Sequence, residues 1–368
     1  MKALKRCALL LVVLALLLAE FPDALAAQSP STYSTAPTSS VWWTYNPSLH
    51  YFYNQLTTLE KRAFSARYDA LALGKPELWN VSNFGLTTQQ WYRVYYAMEI
   101  DCPELLFHNT LVPKFNDASE LRAHSALIKS YLPQVIRVLK RIQNRKDYKG
   151  SAFNHQYALD RYIVSNVKYR LDSVKIDKHR RCAYSVFLNG EAVCEGYARG
   201  VQLALRYFGI PCLYVSGIAN KDSHAWNLVQ LGGSWYHYDP TWNDADDKKR
   251  INDFLPYFNM TDSLVSRSHT WDKYMQTKYG FILPTCSSTA MDYYKVKKQY
   301  VGSNWKKQIP SLINKAKKAK KKSIGIRMSS PAYYSAALKT LKRNGYNIRF
   351  RYTYWYYDDA LFFYFTWK

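Results

Sequence analysis

The chain has 368 residues, 48% of them hydrophobic, and a formal net charge of +24. That is more than one typical domain holds, with enough apolar content for real cores, so two or three packed units are expected rather than a disordered polymer. So strong a cationic excess suits polyanions or a lysine-rich solvated face, and no nucleic-acid-binding motif accompanies it.

The N-terminus reads "MKALKRC", then an unbroken apolar run from Ala8 to Ala19, then "DALAAQ" with small residues at Ala24 and Ala26. This is the pattern of a secretory signal peptide over residues 1–27. Its apolar run falls short of the roughly 18 residues that span a bilayer, and no later run qualifies, so no integral membrane segment is expected in the mature chain. Residues 28–48 are rich in Ser, Thr, Pro and Ala and read as a linker.

Residues 49–146 carry helical periodicity in "YNQLTTLEKRAFSARYDALAL", "TTQQWYRVYYAMEI" and "SALIKSYLPQVIRVLKRI". The expectation is a helical domain whose third helix is kinked or interrupted at Pro133. A further helix over 155–167 opens a second region, 147–285, in which short strand-like runs at 212–218, 225–231 and 234–242 are divided by Gly, Asn, Asp and Ser. Helices followed by sheet point to an α+β fold.

From 286 to 368 the chain becomes basic and aromatic, with two helical runs and strand-like runs that suggest a small α/β module of unknown role. Ile348, Phe350, Tyr352, Tyr354 and Tyr356 fall on one strand face, and the lysines near 315–322 read as a solvated helix face. Asn80 in "NVS" and Asn259 in "NMT" are glycosylation sequons.

Once Cys7 leaves with the leader, Cys102, Cys182, Cys194, Cys212 and Cys286 remain. An odd number in an exported chain suggests one working thiol, with the other four able to form two bridges in any of three connectivities. No C-x-x-C spacing supports a structural zinc site, and no cofactor fingerprint is present.

The stretch "GEAVCEGYARGVQLALRYFG" places Cys194 just before Tyr197, Val201, Leu205 and Phe208 at helical spacing, with Gly209 as the stop. At a helix N-terminus the unpaired N–H groups and the dipole favour a thiolate and an oxyanion. A thiolate needs a base, and His224 opens the next-but-one run. Asp239 follows fifteen residues later, in register for an adjacent antiparallel strand. His237 is the rival imidazole, two residues from Asp239. Trp226, Asn227 and Trp242 stand close enough in sequence to wall the cleft.

Residues 192–244, "AVCEGYARGVQLALRYFGIPCLYVSGIANKDSHAWNLVQLGGSWYHYDPTWND", resemble the core of the transglutaminase-like superfamily, and "CAYSVFLNG" and "PYFNMTDSLVSRSHTWD" resemble its flanking blocks. The resemblance implies a papain-like α+β core in which a helix carrying the cysteine packs on an antiparallel sheet carrying His and Asp. It implies Cys194 as nucleophile, His224 as base, Asp239 as the orienting carboxylate and Tyr184 near the oxyanion, with no metal or other cofactor. The implied reaction is acyl transfer from peptide or protein amides, resolved by water or by an amine, with hydrolysis preferred because no amine-donor site is recognisable. The alternative is a non-catalytic wall- or protein-binding module on the same fold. The resemblance implies a peptide or protein substrate at or beyond the cell surface, while the positive charge of an exported chain adds anionic cell-wall polymers as partners and the missing motif excludes nucleic acid.

Overall fold

The computed structural model describes residues 34–38, 49–79, 84–106, 117–145, 150–170, 178–244, 254–343 and 359–367. The expected signal peptide, most of the expected linker, Asn80 and the strand face expected at 348–356 lie outside these residues. Contacts group the chain into two units, one formed by residues up to 137 with Tyr274–Phe281, the other by Val138–Lys273 with Ile282–Lys368.

The first unit is helical. Helix α1 (Thr58–Leu73) and helix α2 (Thr88–Asp101) start identically, because "TTLE" and "TTQQ" both build capping boxes: Thr57 with Glu60, and Thr87 with Gln90. Gly74 closes α1 in the left-handed conformation at φ 73°. Arg93 of α2 then pairs with the buried Glu60 of α1 at 2.9 Å. From the linker region, Thr38 donates through its backbone N–H and its hydroxyl to Asp69 of α1. Helix α3 (Ala118–Gln143) continues through Pro133, so of the expected kink or interruption the interruption does not occur. Proline removes a single backbone donor there, while Leu121, Ile128, Leu132 and Val135 are all buried along the helix and hold it.

The second unit begins with helix α4 (Ala152–Asn166) and a two-stranded parallel pair, β1 (Lys168–Tyr169) with β2 (Glu191–Ala192). Helix α5 (Cys194–Tyr207) follows at once. Strands β3 (Cys212–Ala219), β4 (Asp222–Leu231), β5 (Ser234–Tyr238) and β6 (His269–Trp271) form one antiparallel sheet in the order β5-β4-β3-β6. Two tight turns fix its register. Asn220 and Lys221 join β3 to β4, Gly232 and Gly233 join β4 to β5, and all four have positive φ, as primed hairpin turns require.

Helix α5 lies on β3 and β4, giving the expected α+β core with the cysteine helix on the antiparallel sheet. The buried Asn227 of β4 staples the two layers by donating from Nδ2 to the Ala198 carbonyl of α5 at 2.9 Å and the Leu213 carbonyl of β3 at 3.1 Å. The glycine after Cys194 is a steric requirement: a Cβ on Gly196 would stand 2.2 Å from the Arg180 carbonyl oxygen.

The C-terminal part of this unit is a three-stranded sheet, β7 (Tyr300–Val301), β8 (Ser323–Met328) and β9 (Phe362–Thr366), with β8 central. Helices α6 (Trp305–Lys318) and α7 (Pro331–Arg343) accompany it. Trp305, Ile309, Ile313 and Ala316 of α6 are buried at helical spacing, and Lys306, Lys307, Lys315, Lys317 and Lys318 are exposed, as the solvated-face expectation required. Arg327 of β8 is fully buried, pairing with Asp292 at 2.8 Å and donating to the Ala360 and Pro256 carbonyls at 2.7 Å each.

Two sequence expectations change. Cys102, Cys182, Cys212 and Cys286 are buried and joined by no disulfide, so the two bridges that these four could have made are not formed. Asn259 is fully buried, exchanging hydrogen bonds with Gln156 and donating to the Met291 carbonyl, which leaves its sequon no room for a glycan on the folded chain.

Candidate active site

Cys194 is the first residue of α5, preceded by the extended Val193, and is partly exposed where its neighbours are buried. Val193 offers no side-chain cap, so the first-turn N–H groups face the end where the sulfur stands. Glu195, in that same turn, is held by Arg181 at 2.9 Å and Arg199 at 3.1 Å.

His224 sits near the start of β4, with Gly217 as its partner across β3. Its Nε2 donates to Asp239 Oδ2 at 2.7 Å, and its side chain is also hydrogen-bonded to Cys194. The imidazole therefore bridges sulfur and carboxylate. Burial opposes a charge on it, but the charge and hydrogen bond of Asp239, with a further contribution from Cys194, outweigh burial and raise its pKa to about 10.

Asp239 follows β5 directly and is fully buried. It does two things at once. Its Oδ1 caps the short helix Pro240–Asn243 by accepting the N–H groups of Thr241 at 2.9 Å and Trp242 at 3.0 Å, and its Oδ2 faces His224. The turn reading of "YDPTW" is thus met by the cap, and the same carboxylate also reaches His224. Burial would raise this carboxyl, yet the two imidazoles on it hold it well below the ordinary carboxylate range.

Two residues of the site were not singled out in the sequence. His269, on β6 opposite Ala219, donates from Nε2 to the same Asp239 Oδ2 at 3.1 Å. Tyr169 on β1 is brought beside Ala192 by the parallel pairing and hydrogen-bonds Cys194, and burial with the Cys194 sulfur pushes its phenol up. Aromatic alternation in "SHTWD" and "VKYR" is the available signal, but both strands are too short for periodicity to register.

The other nominated residues fall into distinct roles. Trp226 stacks on His224 at 6.1 Å and 19°, and Trp242 lies 5.6 Å from His224 and 4.5 Å from His269, so both indoles wall the imidazoles. Asn227 is the layer staple already described. Tyr184 is buried, and its hydroxyl bonds His179 Nδ1. His237 is spoken for elsewhere: its Nδ1 accepts from Trp226 Nε1 at 3.0 Å and its Nε2 donates to Asp262 at 2.8 Å. Burial lowers its pKa and keeps it neutral.

Among the described residues two groups have metal-ligand chemistry, His224 with Asp239 and His269, and His237 with Asp262 and Cys286. In the second, the lone pair on Nδ1 is taken by Trp226 and the proton on Nε2 by Asp262, so binding an ion at that imidazole requires an imidazolate. In the first, both Nε2 atoms are donors to Asp239. The hydrogen bonding suits proton handling better than ligation in each.

Residues 140–240 match the family model of the transglutaminase-like superfamily. The chain carries a transglutaminase-like domain. This superfamily comprises, commonly, cysteine-dependent enzymes, among them transglutaminases and cysteine proteases. Similar solved structures include a transglutaminase, 17% identical over 38% of this chain and 37% of that one, TM-score 0.29. A proposed cysteine protease from Cytophaga hutchinsonii is 19% identical over 39% of this chain and 45% of that one, TM-score 0.27. The periplasmic domain of TgpA from Pseudomonas aeruginosa is 21% identical over 30% of this chain and 44% of that one, TM-score 0.24. The chain thus spans less than half the length of each of these structures. No curated protein matches it. Among the described residues no helix is long and apolar enough to cross a membrane.

Proposed function

We propose that the transglutaminase-like domain catalyses acyl transfer from peptide or protein amides, with Cys194 as nucleophile, His224 as general base and acid, and Asp239 as the carboxylate that orients it. The observation that carries this reading is the His224 ring, hydrogen-bonded to Cys194 on one side and to Asp239 Oδ2 at 2.7 Å on the other.

The steps follow from that geometry. The Cys194 thiol gives its proton to His224, the sulfur attacks the amide carbonyl and the carbonyl electrons move onto oxygen, an oxyanion that this reading assigns to the N–H groups of the first turn of α5. His224 gives its proton to the departing amine as the C–N bond breaks, leaving a thioester. Water then attacks the thioester, its proton goes to His224, and the thiolate is released with the acid product. Asp239 stays ionised throughout, because its lone pairs are held by four donors, and stabilises the imidazolium.

Water is the preferred acceptor, as no amine-binding feature accompanies the triad. The working region is residues 147–285, with the helical region 49–146 and the basic module 286–368 flanking it. Export by the N-terminal leader and attraction of the cationic surface to anionic wall polymers complete the reading. The test is mass spectrometry of wall and secreted proteins incubated with wild type and C194A. New cleavage or deamidation with wild type alone supports hydrolysis, new amide cross-links replace water by an amine, and equal products from both proteins overturn the reading.

A further inference from the structure

Asp239 is divided between two imidazoles. His224 Nε2 and His269 Nε2 reach the same oxygen, Oδ2, at 2.7 and 3.1 Å, while Oδ1 is held by two backbone N–H groups. His269 is 1% exposed and fixed on every side: Trp242 at 4.5 Å, Trp226 edge-on at 4.9 Å, Tyr257 at 5.7 Å and His224 itself at 5.7 Å. Its Nδ1 lies 2.8 Å from Ser268 Oγ, a hydroxyl able to donate, which leaves the ring proton on Nε2, directed at Asp239.

We propose that His269 is a positioning residue of the acyl-transfer site, a neutral second donor that takes up part of the Asp239 charge and so keeps His224 acidic enough to release its proton to the leaving amine. This rests on the reading of Cys194 and His224 as the reacting pair. The physical chain is short. His269 stays neutral because burial, followed by the repulsion of nearby imidazoles, outweighs the attraction of Asp239. A neutral donor on Oδ2 competes with His224 for the same electron density. Removing it does not free the carboxylate to swing, because Thr241 and Trp242 still hold Oδ1. It leaves Oδ2 to His224 alone, and the imidazolium is held harder. A general acid held too tightly is a poor one. The titratable groups facing this pair are Cys194 on α5, Tyr169 on β1, His237 and Tyr238 on β5, and Tyr257.

The experiment is the pH dependence, from 4 to 11, of Cys194 alkylation by iodoacetamide in the purified full chain, located by peptide mass. It compares wild type, H269F, H269Q and H269N, with C194A as the blank and melting temperatures as a fold check. The Gln amide can donate to Oδ2. The shorter Asn cannot reach it and repeats the deletion should H269F fail to fold. Expected is a high-pH limb displaced upward by about one pH unit in H269F and H269N, and restored toward wild type in H269Q. A limb that stays or falls in both deletions, or that moves equally in H269Q, overturns the role of His269. A wild-type Cys194 that iodoacetamide labels no faster than free cysteine at the same pH overturns the triad reading and this inference together.

Discussion

Replacing Asp239 by Asn tests the site most sharply, because the structure dictates how the amide must sit. Two backbone N–H groups point at Oδ1 and demand an acceptor there, so the Asn carbonyl takes that place and its NH2 is forced toward His224 and His269. Each imidazole must then accept at Nε2 and carry its proton on Nδ1. For His224 that puts a proton where a base needs a lone pair. The carboxylate charge is also lost. His224 now keeps its proton to about pH 10 against burial, chiefly through Asp239. Without it, burial remains and the imidazole returns to its ordinary value near 6.5 or below, a change of at least roughly 3.5 pH units, or about 5 kcal/mol. The high-pH limb of Cys194 alkylation is therefore expected to fall from about 10 to below 7, and turnover to drop by about 10³- to 10⁴-fold, as for the equivalent change in a Ser-His-Asp triad. The measurements are the iodoacetamide pH profile and, once a substrate is found, kcat at fixed pH. A limb that remains near pH 10 in D239N refutes the electrostatic account of His224.

Four further outcomes are expected. H237Q retains Cys194 alkylation at neutral pH, since Gln can accept from Trp226 and donate to Asp262; loss of alkylation in a folded H237Q gives His237 the role assigned to His224. G196A forces the start of α5 away from the Arg180 carbonyl, so alkylation of Cys194 slows and the melting temperature falls, both readable on one sample. R327M strands the buried Asp292 and two carbonyls, costing roughly 3–5 kcal/mol in urea unfolding. The fourth concerns alkaline stability. Burial raises the Cys212 and Cys286 thiols, so above about pH 8.5 the unfolded chain releases protons that the folded chain keeps. Stability is therefore lost as pH rises, and C212S with C286S flattens that decline in urea midpoints measured from pH 8 to 10.

Much of this was written in the chain itself. The start of α5 at Cys194, the hairpin turns before His224 and Ser234, the Asp-Pro step and both capping boxes follow from local rules, because propensity, turn chemistry and capping act within a few residues. Helix-start chemistry and strand register paired Cys194 with His224 and Asp239, and the likeness of residues 192–244 to the transglutaminase-like core pointed to the same three. Of the kink or break that local rules gave Pro133, the break does not occur, since burial along α3 holds the helix across the missing hydrogen bond, and the parity of the four other cysteines said nothing of their separation in space. What only the tertiary structure decided is the company that Asp239 keeps. His269 reaches it from β6, thirty residues on in the chain, through strand pairing with β3, and Tyr169 reaches Cys194 through a two-residue parallel pair. His237, closer in sequence, is turned to Trp226 and Asp262 instead. Which imidazole serves a carboxylate is settled by sheet order and by competing hydrogen bonds, and neither has any period or spacing that a single sequence can display.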